Sequence, residues 1–237
     1  MRRRVAGLVV LALLAVGVGV GEALTPPTDH VLLIGDSIMR QTGPSLANQL
    51  GDGYTVRNEA VNGSGLLTPD FFDWPDHLEQ VLAQTDPDVV VFLMIGNYTD
   101  DPDEFWHTPE GRVVRDIGSP AFAREWGRQA DLAMDAIAET GAPIVLVLPP
   151  PMVTDELQAI VDGLRAEYER IASERPYVRL VDAADAIGGP NGEWVGELPA
   201  GDGSVRPVRT ADTVHLAPHG ARLLAREILP AVKAQAG

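Results

Sequence analysis

The chain has 237 residues and 45% hydrophobic content, enough for one globular domain and a short extra segment. It has no cysteine, which excludes a disulfide framework, cysteine-ligated zinc and thiol chemistry. A formal charge of −16 sets the surface against phosphate backbones and anionic lipid heads, so no nucleic-acid partner is expected.

The first residues have the form of an export signal. Arg2, Arg3 and Arg4 make a basic start, and Val5 to Val20 is an unbroken run of Val, Leu, Ala and Gly. Gly21-Glu22-Ala23 offers small residues where a signal peptidase reads, and Leu24-Thr25-Pro26-Pro27 begins a tether. The expected organisation is a signal peptide over 1–23, a linker over 24–29 and one domain over 30–237. The alternative for 5–20 is an uncleaved membrane anchor, although the run falls short of the ~20 residues that span a bilayer comfortably. Either way an extracytoplasmic location is expected.

From His30 onward the pattern alternates strand and helix. His30–Ile34 and Tyr54–Asn58 read as strands, and Asp88–Ile95 (DVVVFLMI) is a fully apolar one of the kind buried on both faces of a parallel sheet. Ile144–Leu148 (IVLVL) and Tyr177–Val181 follow. Pro75 opens a helix carrying Leu78, Val81 and Leu82. Ser119-Pro120 is a capped start, after which Phe122, Trp126, Ala130, Ala133 and Ile137 recur at helical spacing until Gly141. Leu157, Ile160, Leu164, Tyr168 and Ile171 recur in the same way after Thr154, and a last helix follows Pro218. The alternation predicts a three-layer α/β/α domain with a mostly parallel five-stranded sheet, and if its order is the flavodoxin-like 2-1-3-4-5 the ends of the first three strands are neighbours. Two polar or Gly/Pro-rich stretches, Gly96–Gly118 and Gly188–Arg209, follow strands and are expected to wall a substrate site, with Trp106 and Trp194 at its rim. The alternative for both is solvated loop.

The chemistry-bearing residues sit where the strands end. Leu33-Ile34-Gly35-Asp36-Ser37 is an apolar run that stops at a glycine and delivers a serine to a helix start. Far downstream, Asp212-Thr213-Val214-His215 pairs a carboxylate with an imidazole. A serine hydroxyl is a weak nucleophile near neutral pH and needs a base that is itself oriented, so Ser37, Asp212 and His215 form a candidate set in the chain order Ser, Asp, His. Taken singly, each also reads as a helix cap or a polar turn. His30, His77, His107 and His219 show no metal-ligand spacing, and the Asp100–Glu104 cluster lacks the ligand pattern of a calcium loop. There is no phosphate-binding glycine loop, so no cofactor or metal is expected. Arg209, shortly before Asp212, is expected to make a surface ion pair, the alternative being contact with a substrate oxygen.

Four separated blocks resemble the SGNH hydrolases, also called GDSL esterases/lipases. Gly35-Asp36-Ser37 is similar to the first block, which implies Ser37 as nucleophile. Asn58-Glu59-Ala60-Val61-Asn62-Gly63 is similar to the second and implies an oxyanion-hole N–H at Gly63, with Gly65 as the competing position. Ile95-Gly96-Asn97 is similar to the third and implies Asn97 as a further oxyanion donor beside the Ser37 N–H. Asp212-Thr213-Val214-His215 is similar to the last. The family pattern continues Gly-x-Asn-Asp, whereas Tyr98 follows Asn97 here, which leaves open how the loop beyond it is braced. The resemblance implies an exported serine esterase that hydrolyses or transfers short acyl groups, O-acetyl esters on carbohydrate or cell-envelope material first among them. The alternative from another class is an inactive module of the same fold that binds glycan or envelope components.

Overall fold

The computed structural model describes residues 28–98 and 106–236. The export segment expected over 1–23 and the Asp100–Glu104 cluster lie outside the described residues. In chain order the elements are β1 (Asp29–Gly35), α1 (Ser37–Leu50), β2 (Tyr54–Asn58), α2 (Trp74–Thr85), β3 (Val89–Leu93), β4 (Trp106–His107), β5 (Val113–Val114) and α3 (Pro120–Ala138). They continue with β6 (Ile144–Leu148), α4 (Asp155–Glu174), β7 (Val178–Asp182), α5 (Ala183–Ile187), β8 (Glu197–Pro199), β9 (Val205–Pro207) and α6 (Pro218–Gln235).

Five strands form one sheet in the order β2-β1-β3-β6-β7, which is 2-1-3-4-5 when the sheet strands alone are counted. Every pair is parallel, with Val31 opposite Val56 on one side and Val89 on the other. β3 and β6 are buried along their whole length, as their unbroken apolar runs require of strands covered on both faces. Helices α1, α5 and α6 pack together on one face, and α2, α3 and α4 on the other. Trp126 stacks on Tyr168, joining α3 to α4 with ring centroids 5.2 Å apart and an interplanar angle of 19°. Among the described residues no helix is long and apolar enough to cross a membrane.

β3 ends at Leu93, short of the expected Ile95, because side chains take over the ladder's role. The Met94 N–H and C=O both bond the buried Tyr168 hydroxyl at 2.8 Å, and the Ile95 N–H donates to Asp36. The chain therefore leaves the sheet at the point where it must turn toward the carboxyl edge.

Candidate active site

That edge collects the ends of β1, β2, β3 and β6, which are neighbours in the sheet. Gly35 ends β1 where only glycine fits, since a Cβ there would lie 1.9 Å from the Leu93 carbonyl oxygen. Asp36 then caps α1. One carboxylate oxygen accepts from the Ile38 N–H at 2.9 Å, and the other accepts from the Ile95 and Gly96 N–H groups at 2.7 and 3.0 Å. This buried side chain thus joins the serine turn to the loop carrying Asn97. Burial pushes its carboxyl above the usual range, against the pull of those three N–H donors.

Ser37 is the first residue of α1, and its hydroxyl donates to Nε2 of His215 at 2.9 Å. Nδ1 of His215 lies 2.8 Å from Oδ2 of Asp212. The other carboxylate oxygen of Asp212 accepts from the His215 N–H at 2.9 Å, the Val214 N–H at 3.0 Å and the Thr210 hydroxyl at 2.8 Å. The His215 backbone bond, then its ring bond, then Thr210 hold the Asp212 carboxyl well below the usual range. An ionised carboxylate only accepts, so Nδ1 carries the ring proton and Nε2 is left free to accept one from serine. The two distant stretches therefore meet, in the geometry of a nucleophile, a base and an orienting group.

The relay opens into a cleft of about 620 Å³. Ser37, Gly63, Asn97, Asp212 and His215 all line it. Gly63 sits there with a φ of +76°. Gly65 lies deeper, packed under Tyr98, where a Cβ would come within 2.8 Å of the phenol oxygen and 3.0 Å of the Gly96 Cα. The two glycines that compete in the sequence thus occupy different places. Gly63 faces the cleft, and Gly65 lets two loops approach.

Tyr98, where the family pattern has aspartate, is 5% exposed and reaches back from the Asn97 loop into the loop after β2. Its hydroxyl accepts the Leu67 N–H at 3.3 Å, and its ring meets Trp106 and Phe122 edge-on, with centroids 5.4 and 5.0 Å away. The loop beyond Asn97 is therefore braced by an aromatic wedge.

The two stretches expected to wall the site need correction. Among the described residues of Gly96–Gly118, Gly96, Asn97 and Tyr98 line the cleft, while β4 and β5 form a hairpin held against the loop after β2, with the His107 N–H on the Leu67 carbonyl and the His107 ring on Asp70. None of Gly188–Arg209 lines it. That stretch braces the Asp212–His215 loop from behind, the Trp194 indole donating to the Thr213 carbonyl at 3.0 Å. Thr213 needs such support because its φ is +68°, an uncommon conformation for a β-branched residue. Arg209 likewise makes no surface ion pair. It is 4% exposed, and its guanidinium donates to the Val214 carbonyl at 3.2 Å and the Pro151 carbonyl at 2.9 Å, tying the His215 loop to the loop after β6. Desolvation pushes its pKa down to about 10, so the charge persists at neutral pH. The opposite wall, unforeseen in the sequence, comes from Met152 and the first turns of α4. The helical period marked those α4 residues as apolar, but not that they face a cleft.

Several solved structures share this architecture at low identity. TesA aligns with a TM-score of 0.57 at 18% identity, over 87% of this chain and 99% of its own. An acetyl xylan esterase, AlAXEase, aligns with a TM-score of 0.58 at 17% identity, over 86% and 99%. A member of the lipolytic protein G-D-S-L family from Veillonella parvula aligns with a TM-score of 0.58 at 15% identity, over 87% and 99%. No curated protein matches the chain. These likenesses establish the SGNH-type fold. Residues 30–231 match the family described as "Protein of unknown function (DUF459)", and the chain belongs to that family.

Proposed function

We propose that this protein is a serine acyl-ester hydrolase or acyltransferase that works outside the cytoplasm. One observation carries the reading: the unbroken relay from Ser37 through His215 to Asp212, 2.9 and 2.8 Å long, at the mouth of a cleft. In the reaction His215 Nε2 takes the Ser37 proton as the serine oxygen attacks the ester carbonyl. The oxyanion that forms is held by the N–H groups of Ser37 and Gly63 and by the Asn97 amide. His215 returns the proton to the departing alcohol, which leaves an acyl-Ser37 ester. Water, or a second alcohol activated by the same imidazole, then releases the acyl group, and the choice between them separates hydrolase from transferase.

The printed names of the structural relatives, an acetyl xylan esterase and a lipolytic protein, support an ester substrate. The basic and then apolar start of the chain supports export and a carbohydrate or envelope alcohol. The narrower expectation of an O-acetyl group concerns the acyl part alone.

The test is covalent labelling with an organophosphonate and peptide mapping, paired with hydrolysis of activated esters by wild type and Ser37→Ala. Label on Ser37 and loss of turnover in the variant are expected. Equal turnover by the two proteins would leave only a binding module. Asn97→Ala is expected to lower kcat by about 10²–10³-fold.

A further inference from the structure

The cleft is not the same on its two sides. The sheet order sets the loop after β2 at one end, the β1 and β3 ends with Ser37 and Asn97 in the middle, and the loop after β6 with α4 at the other end. On the β2 and α1 side the lining includes polar groups, Gln41 and Asn62 among them. The loop after β6 and α4 contribute only apolar side chains to the cleft, Met152, Leu157, Ile160 and Val161, beside the polar Thr210, Asp212 and His215 of the loop that Arg209 ties to them. Leu157, Ile160 and Val161 fall at i, i+3 and i+4 of α4 and so share one helix face. Val153, beside Met152 in the chain, leaves an apolar side chain 41% exposed on the same loop.

A hydroxyl-rich group set against such a wall would give up its bonds to water with no protein partner in return. A hydrocarbon chain would lose nothing polar and would cover the half-exposed Leu157 and the remaining exposed edges of Met152 and Ile160, which are 7% and 8% exposed. The cleft volume of about 620 Å³ gives room for a drug-sized ligand, acyl and alcohol parts together. We infer that the half of the cleft walled by Met152 and the α4 face receives the hydrocarbon tail of the acyl group, and that the preferred substrate carries an acyl chain longer than acetyl. This rests on Ser37 being the acyl acceptor.

The experiment uses p-nitrophenyl esters from acetyl to dodecanoyl, with the alcohol constant, on wild type and on Leu157→Trp. Leu157 is half-buried at the third position of α4, so the larger ring fills the cleft without entering the core. In wild type kcat/KM is expected to rise about fourfold for each methylene that becomes buried, until the wall is covered. Leu157→Trp is expected to cut kcat/KM for the octanoyl ester at least tenfold more than for the acetyl ester. Leu157→Asn, which keeps four side-chain heavy atoms and the γ branch but makes the tip polar, is expected to flatten the chain-length dependence. Fastest turnover of the acetyl ester by wild type, or an equal loss on all esters in Leu157→Trp, would overturn the inference while leaving the esterase reading intact. A binding arm separates the two failures. Octanoate is expected to bind Ser37→Ala and to bind the Ser37→Ala/Leu157→Trp double variant at least tenfold more weakly. No binding of octanoate, or equal binding by both proteins, would also overturn the inference. Absent turnover of every ester by a protein that binds octanoate in this way would sink the esterase reading, and with it the assignment of the tail to an acyl group, while leaving a hydrocarbon site against α4.

Discussion

At the scale of single residues, the site depends on what its polar groups lack as much as on what they have. Asp212 accepts hydrogen bonds and donates none, and that asymmetry fixes the proton on Nδ1 of His215 and leaves Nε2 free to accept from Ser37. Because its carboxyl is held below the usual range, Asp212 keeps its charge as pH falls through the ordinary carboxylate range, and its grip on Nδ1–H weakens only below that. Asp212→Asn replaces an acceptor with an amide that can donate, so the ring can settle in the wrong tautomer. A fall in kcat of about 10²–10⁴-fold is expected, with KM little changed. Steady-state kinetics at neutral pH checks it, and a variant as fast as wild type would remove Asp212 from the relay. Tyr98 is the residue at which the family pattern breaks, and the fold shows what replaced it. Tyr98→Phe keeps the wedge but leaves the buried Leu67 N–H without its acceptor, an expected loss of about 1–3 kcal/mol. Gly65→Ala adds a Cβ 2.8 Å from the phenol oxygen and 3.0 Å from the Gly96 backbone, so the loops carrying Gly63 and Asn97 must part. Urea unfolding together with kcat separates the two. The first variant is expected to lose mainly stability, and the second to lose kcat as well.

At the scale of elements, the site is a set of loops clamped to one another by buried polar side chains. Asp36 clamps the β1 turn to the β3 end, and Arg209 clamps the loop before α6 to the loop after β6. Arg209 is an instructive case, because a buried guanidinium bonded, among the described residues, to carbonyls and no carboxylate carries a desolvation cost that no opposite charge offsets. Its Nε is also buried, with no partner among the described residues. Arg209→Met fills similar space without charge and is expected to leave the melting temperature unchanged or higher while kcat falls about tenfold or more. A large drop in melting temperature with kcat unchanged would show the clamp to be structural only. These clamps were not legible in the sequence, and the reason is physical. An apolar run such as DVVVFLMI announces a buried strand by itself, and Asp-x-x-His is a local pattern. The partners of Arg209 and Trp194 are backbone carbonyls brought close only by folding, and a carbonyl leaves no mark in the sequence. The two-residue strands of the β4–β5 hairpin and the five-residue α5 are likewise too short to set up a period.

At the scale of the whole molecule, the dominant quantity is charge: 34 acidic side chains against 18 basic ones. Arginines in α4 and at its end gather several carboxylates each. Arg170 holds Asp131, Glu167 and Glu174, and Arg175 holds Asp131 and Asp135 at 2.8 and 3.0 Å. Such contacts act at short range, while the surplus of negative charge acts across the whole surface. The two respond to salt differently. At about 0.01 M ionic strength the screening length is about 30 Å, comparable with a domain of this size, and at about 0.1 M it is about 10 Å. Added salt therefore cancels the long-range repulsion first and leaves contact pairs largely intact. Exposed pairs are also worth little each, about 0–1 kcal/mol, so their weakening cannot offset the relief. The melting temperature is accordingly expected to rise by several degrees between about 0.01 and 0.3 M sodium chloride. Calorimetry across that series checks the sign, and a falling melting temperature would mean that the arginine clusters, not the net charge, control the electrostatic stability of the fold.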